Sequence, residues 1–209
     1  DYPLNKKLND DARTTLDRHF QLAHRHRVSL IDDYVPIVRL ESSGWLDRLS
    51  GALFAAERGY AGPGAGVGNN VFCIGAYGTT PKDELPGWAK WTAAQSEKTP
   101  TDYFVYLADE SNDFAATNEL IAGTPPGLRS LATLPAPAGA QETPRLSIVC
   151  STPTVCETQK WEDAVRSIRK SGRSFWIYNG FRPASGTYCT EDDGVALREY
   201  LRTALDEAQ

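Results

Sequence analysis

The chain has 209 residues, 41% hydrophobic and 23% charged, which is enough apolar material for a sizeable core and a length that suits one domain, residues 1–209. A formal charge of −5, with no basic cluster longer than Arg25-His26-Arg27, excludes a nucleic-acid surface, and no run approaches the roughly 18 apolar residues of a membrane span. Four dispersed cysteines with no Cys-x-x-Cys pair exclude a small disulfide scaffold and argue against a zinc site.

Along the chain, Ala12, Leu16, Phe20 and Ala23 recur at helical spacing and predict a helix over 10–26 with Asn9 or Asp10 as its cap. Its three histidines, His19, His24 and His26, do not share a face suited to a metal. A short β run over 28–31 closes on Asp32-Asp33, and a short helix inside a long loop follows around 44–54. The glycine-rich stretch 62–68 lacks the spacing of a dinucleotide fingerprint and precedes a strand, so it reads as a mobile loop over strand ends. Next come a strand over 71–77, a helix over 85–97 carrying Trp88 and Trp91, and an aromatic strand that ends in Asp109-Glu110. A helix over 114–122, a strand over 129–134, a Pro/Ala loop over 134–140 and a strand over 145–150 continue the alternation. A helix over 161–170, a strand over 174–178 and a terminal helix over 193–207 complete it. Strands alternating with helices imply parallel pairing through right-handed crossovers. About six strands are readable, so the expected fold is α/β: an incomplete (β/α)8 barrel, with an open doubly wound sheet as the alternative. The absence of methionine and the start at Asp1 suggest a processed or excised piece of a longer protein. Cys150 and Cys156 bracket a short loop and are either a local disulfide of an exported protein or two separate thiols.

Chemistry concentrates at Asp109 and Glu110. At the carboxyl end of a buried strand the backbone leaves the ladder, and neighbouring side chains can turn toward one opening. Were apolar neighbours to keep Glu110 protonated while hydrogen bonds keep Asp109 ionised, the pair would divide into an acid and an anion. The competing reading is that one of them caps the helix after Ser111-Asn112-Asp113. Asp32 closes another strand and is either a further site carboxylate or a solvated turn residue; Tyr77 also ends a strand and joins the substrate-binding candidates. Trp176, Tyr178, Asn179 and Arg182 cluster at a strand end, combining aromatic faces for a pyranose ring with amide and guanidinium donors for its hydroxyls. Glu191 is a further carboxylate candidate, whereas Asp192 and Asp193 read as helix-cap residues. No metal and no cofactor are implied.

Taken in order and spacing, the stretch from Phe20 to Val28, the Tyr103-Phe-Val-Tyr-Leu-Ala-Asp-Glu110 strand, the Trp176-Ile-Tyr-Asn-Gly-Phe-Arg-Pro183 segment and the Glu191 to Arg198 stretch resemble the catalytic barrel of glycoside hydrolase family 123 and its broad relative, domain of unknown function 4091. The resemblance implies hydrolysis of a β-linked hexosaminide in which the substrate's own 2-acetamido oxygen attacks the anomeric carbon. Asp109 would orient the acetamide, Glu110 would act as acid and base, and Tyr178 and Asn179 would hold the acetamide or hydroxyls. Members of that family carry an amino-terminal β-sandwich and a full barrel, so other domains or segments are expected to complete this one. A glycan-cleaving enzyme of this kind is expected outside the cytoplasm, in the periplasm or beyond the cell. Two other readings stand beside it: a catalytically silent carbohydrate-binding module, and a two-carboxylate glycosidase pairing Glu110 with Asp32 or Glu191.

Overall fold

A computed structural model of the chain describes residues 10–31, 34–152 and 158–178. Its strands are β1 (Val71–Cys73), β2 (Asp102–Ala108), β3 (Arg129–Thr133), β4 (Ile148–Ser151) and β5 (Ser174–Ile177), and its α-helices are α1 (Asp10–Arg25), α2 (Trp45–Ser50), α3 (Leu85–Ser96), α4 (Phe114–Ala122), α5 (Ala136–Gln141) and α6 (Thr158–Lys170). The five strands form one sheet in the order β1-β2-β3-β4-β5. The pairs β1–β2, β3–β4 and β4–β5 are parallel, with Val71 opposite Asp102, Thr133 opposite Cys150 and Cys150 opposite Trp176. A doubly wound sheet reverses its winding and breaks sequential order, whereas right-handed crossovers that always step the same way generate the order seen here. The fold is therefore mixed α/β with a parallel sheet consistent with part of a β/α barrel.

One expected strand is missing among the described residues, leaving five instead of six. Residues 28–31 are not in a ladder, because Val28 belongs to the end of α1. Its N–H turns back to the Ala23 carbonyl while the Arg27 N–H reaches the His24 carbonyl, the paired bonds of a Schellman motif. That motif needs a left-handed residue, and Arg27 supplies it with φ of 61°. A side chain with a Cβ is disfavoured there by roughly 1–2 kcal/mol. The expected 71–77 strand is cut to three residues, since Gly75 (φ 67°), Tyr77 (φ 56°) and Gly78 (φ 72°) are left-handed and cannot continue a ladder. Pro135 and Pro137, read as marks of a loop, instead open α5. The fixed φ of proline suits a first helical turn, and Ser151 Oγ accepts the Ala136 N–H at 3.1 Å.

Within the chain two compact units form, one comprising Asp1–Ala76, Thr80–Phe104 and Pro126–Leu128, the other Tyr77–Thr79, Val105–Pro125 and Arg129–Gln209. In the first, edge-on aromatic contacts run from Phe20 to Trp45 (5.4 Å) and from Trp45 to Phe72 (4.8 Å), and Trp88, Trp91 and Tyr103 extend the cluster. Arg48 is buried there with its guanidinium 3.8 Å from the centre of the Phe20 ring and 3.7 Å from Asp17. The glycine-rich segment packs against this core, with the Gly66 N–H bonded to the Phe54 carbonyl at 3.0 Å. A Cβ on Gly68 would stand 1.8 Å from the Leu49 carbonyl oxygen, so only glycine permits the backbones to meet. His24 bridges the segment's two ends, pairing with Tyr60 Oη at 2.8 Å and the Val67 carbonyl at 3.0 Å.

In the second unit, Val105, Leu107, Leu131, Ile148, Val149, Val165 and Ile168 are buried, and Trp161 of α6 meets Phe175 edge-on at 5.3 Å. Alternation along β5 then turns Trp176 to the face opposite α6. Through the parallel register Trp176 shares that face with Cys150 and Thr133. Arg173 donates to the Gly139 and Thr143 carbonyls at 2.8 and 3.0 Å, covering the carboxyl end of α5.

Candidate functional site

Asp109 and Glu110 follow directly on β2, where the chain bends out of the sheet. The helix-cap reading of the pair fails in the structure. α4 is capped by Asp113, whose Oδ1 accepts the Ala116 N–H at 2.9 Å. That leaves both preceding carboxylates for other partners.

Three hydroxyl groups, two on strands and one just past a third, meet the pair. Tyr106, three residues earlier on β2, donates to Asp109 Oδ1 at 2.5 Å. Thr133, the last residue of β3, donates to the same oxygen at 2.7 Å and accepts the Glu110 N–H at 2.7 Å. Tyr106 Oη and Thr133 Oγ1 are themselves 3.0 Å apart. Beyond the end of β5, Tyr178 donates to Glu110 Oε1 at 2.7 Å. Each carboxylate thus has one oxygen held by hydroxyls, those on Asp109 from the sheet and that on Glu110 from the residue following β5.

Backbone strain accompanies these bonds. Glu110 sits at φ of 46°, a conformation that a long side chain adopts only when its surroundings hold it, and the Thr133 hydroxyl on its N–H is one such hold. Tyr77 is likewise left-handed at φ of 56°, is 66% exposed, and lies with its ring centre 5.1 Å from that of Tyr106. Directly after it, the Gly78 N–H bonds the Tyr106 carbonyl at 2.9 Å, and a Cβ at Gly78 would be 2.8 Å from the Leu107 carbonyl oxygen. The glycine lets this segment run against β2 and carries Tyr77 to the rim of the acidic pair.

Electrostatics follow from burial and charge. Burial raises the Tyr106 phenol well above its ordinary range, and the hydrogen bond to Asp109 adds to the effect. Tyr178 is raised in the same way, by burial first and by Glu110 second. Cys150 is pushed up to about 12 by burial and by the negative charge of Asp109. It is a buried free thiol, inert as a nucleophile, and so is not part of the disulfide considered for Cys150 and Cys156. Cys156 itself lies outside the described residues. The protons of all three groups stay in place around neutral pH, so the two tyrosines remain donors to the carboxylates.

Of the residues selected from the sequence, the structure brings Asp109, Glu110, Tyr77 and Tyr178 together, and Trp176 lies on the same sheet face as Cys150 and Thr133. Asp32, Asn179, Arg182 and Glu191 lie outside the described residues, as does the expected helix over 193–207. Tyr106 and Thr133 were missed. The available signal was their placement, Tyr106 one face-repeat inside the strand end and Thr133 a polar residue closing β3 directly after the apolar Leu131 and Ala132. Among the described residues no group of His, Cys, Asp and Glu side chains is arranged to hold a metal ion, and no helix is long and apolar enough to cross a membrane. Compared with known proteins, the chain matches no family model, no curated protein and no solved structure.

Proposed function

We propose that the Asp109–Glu110 pair is the catalytic centre of a glycoside hydrolase acting on a β-linked 2-acetamido hexosaminide. The observation that carries the reading is the pairing of Asp109 Oδ1 with two sheet hydroxyls, Tyr106 and Thr133, beside a Glu110 held by Tyr178. Fixing one oxygen of each carboxylate orients the other, which is the preorganisation that acid–base and electrostatic catalysis require. Asp109 then accepts the acetamide N–H through its second oxygen, directing the acetamide carbonyl oxygen at the anomeric carbon. As that C–O bond forms and the glycosidic C–O bond breaks, Glu110 gives its proton to the departing oxygen. The cyclic oxazolinium-like intermediate is opened when Glu110 takes a proton from the attacking water, which restores the acetamide and the acid. Tyr77, exposed at the rim, and Trp176, on the same sheet face as Thr133, supply aromatic surface of the kind that stacks on pyranose C–H groups.

The test is hydrolysis of aryl β-N-acetylhexosaminides by the wild type, Glu110→Gln and Asp109→Asn. A loss of about 10²-fold or more is expected from the acid/base change. A thiazoline that mimics the cyclic intermediate should inhibit the wild type. Binding of glycan with no turnover by the wild type would reject the hydrolase and leave a carbohydrate-binding module, and turnover insensitive to the thiazoline would point to a two-carboxylate mechanism.

A further inference from the structure

The first compact unit holds a concave feature that the acidic pair does not use. It is an open hollow of about 270 Å³ between the end of α1 and the glycine-rich segment, just below the usual range for small-molecule sites. Its polar lining comes from Arg27, Ser29 and Asn70, and its apolar lining from Val28, Val67 and Pro63, with backbone at Gly64 and Gly68. Val28 and Val67 are 51% and 54% exposed, so apolar surface lies open at the mouth.

The charge of the lining runs against that of the chain. Acidic residues outnumber basic ones, 27 to 22, yet among the described residues no Asp or Glu lines this cavity. The donors are directional. Ser29 gives its proton to Asn70 Oδ1 at 2.5 Å, which leaves the Asn70 amide nitrogen as a donor. His24 lines the cavity with its ring, both nitrogens being engaged with Tyr60 and the Val67 carbonyl. The Leu22, Ala23 and His24 carbonyls accept the N–H groups of residues 26–28, which reduces the negative charge that the end of α1 presents to an anion.

Arg27 is the second observation. It occupies the left-handed position that ends α1, where glycine is the ordinary occupant, and it is the arginine among the residues that line the cavity.

We propose that this cavity binds a compact organic carboxylate of about monosaccharide size, its carboxylate on the Arg27 guanidinium and the Asn70 amide nitrogen and its body against Val28, Val67 and Pro63. The proposal does not depend on the role of Asp109 and Glu110.

Amide chemical-shift titration of the full chain tests it, with glucuronate, glucose and inorganic phosphate as probes. Saturable shifts at Val28, Val67 and Gly68 are expected with glucuronate, and at least tenfold weaker binding with glucose. Arg27→Gly removes the guanidinium and relieves the backbone, so it should melt about 2–4 °C higher while binding glucuronate at least tenfold more weakly. Arg27→Lys, a point charge without the planar fork, should fall between them. Asn70→Asp should also weaken glucuronate binding by at least tenfold through charge repulsion. The proposal is overturned if glucuronate produces no shifts at these amides, if phosphate alone produces them, or if Arg27→Gly binds glucuronate as tightly as the wild type.

Discussion

Replacing Thr133 by valine removes one hydroxyl and leaves a side chain of nearly the same shape. That hydroxyl donates to Asp109 Oδ1, accepts the Glu110 N–H, and lies 3.0 Å from Tyr106 Oη. The bond to the carboxylate contributes roughly 1.5–3 kcal/mol, and the orphaned N–H adds about 1 kcal/mol, reduced because Glu110 is exposed and water can reach it. Part of this is returned when Glu110 leaves its left-handed conformation, a relief of about 1 kcal/mol. The net expectation is a destabilisation of about 2 kcal/mol, or roughly 4–8 °C in melting temperature for a chain of this size. Thr133→Ser keeps the hydroxyl and should lose less than half as much. Amide hydrogen exchange gives the residue-level readout: the Glu110 amide should exchange at least tenfold faster in Thr133→Val and at a near-wild-type rate in Thr133→Ser. An unchanged Glu110 exchange rate, or a Thr133→Val loss below about 0.5 kcal/mol, would refute the claim that this hydroxyl positions the acidic pair.

Alkaline pH should weaken the fold through Cys150. In the unfolded chain the thiol loses its proton near its ordinary value of 9.0, whereas in the folded chain it keeps the proton up to about 12. Between those values the unfolded state binds fewer protons, so stability falls as pH rises, by about 1.4 kcal/mol per pH unit, and Cys150→Ala should flatten the slope seen in urea titrations. The raised phenols of Tyr106 and Tyr178 act in the same direction at the upper end of this window. Iodoacetamide at pH 8 should leave Cys150 unmodified until the protein is unfolded, as mass spectrometry of the digested protein would show. Gly139→Ala would place a Cβ 2.5 Å from Val149 Cγ1 and should lower stability by about 1–3 kcal/mol, with Val149→Ala in the same chain recovering part of the loss in thermal unfolding. Asp113→Ala should cost about 1 kcal/mol by uncapping α4 and leave the kinetics on aryl hexosaminides unchanged, because capping and catalysis fall to different carboxylates.

Periodic patterns made the helices and the principal strands legible. α1 ends within one residue of the expected helix, α4 spans the expected residues, and β2 ends just before Asp109, because each carries a clear face repeat or a clear stop. Reading failed where a residue's usual habit was overruled by its contacts. Val28 and Ile31 have strand-forming side chains, but the Schellman bonds take the backbone away from any ladder. Pro135 and Pro137 are loop formers by habit and helix starters in place, once Ser151 caps the turn and Arg173 covers its far end. The glycines at 62–68 looked like freedom, and at Gly68 the missing side chain proved to be clearance for close backbone packing. At the candidate site the carboxylates were visible because a strand stops at them. Tyr106 and Thr133 were not, because their role depends on register across β2 and β3, which no single segment contains.

The most direct test of the hydrolase is the dependence of Glu110→Gln on the leaving group. A general acid matters most when the departing oxygen is basic, so the variant should lose about 10²-fold or more on an alkyl or unactivated aryl β-N-acetylhexosaminide. On a dinitrophenyl glycoside, whose leaving group needs no proton, cleavage of the glycosidic bond in a single turnover should stay close to the wild-type rate. Equal losses on both substrates, or no turnover of either by the wild-type chain, would contradict Glu110 as the acid.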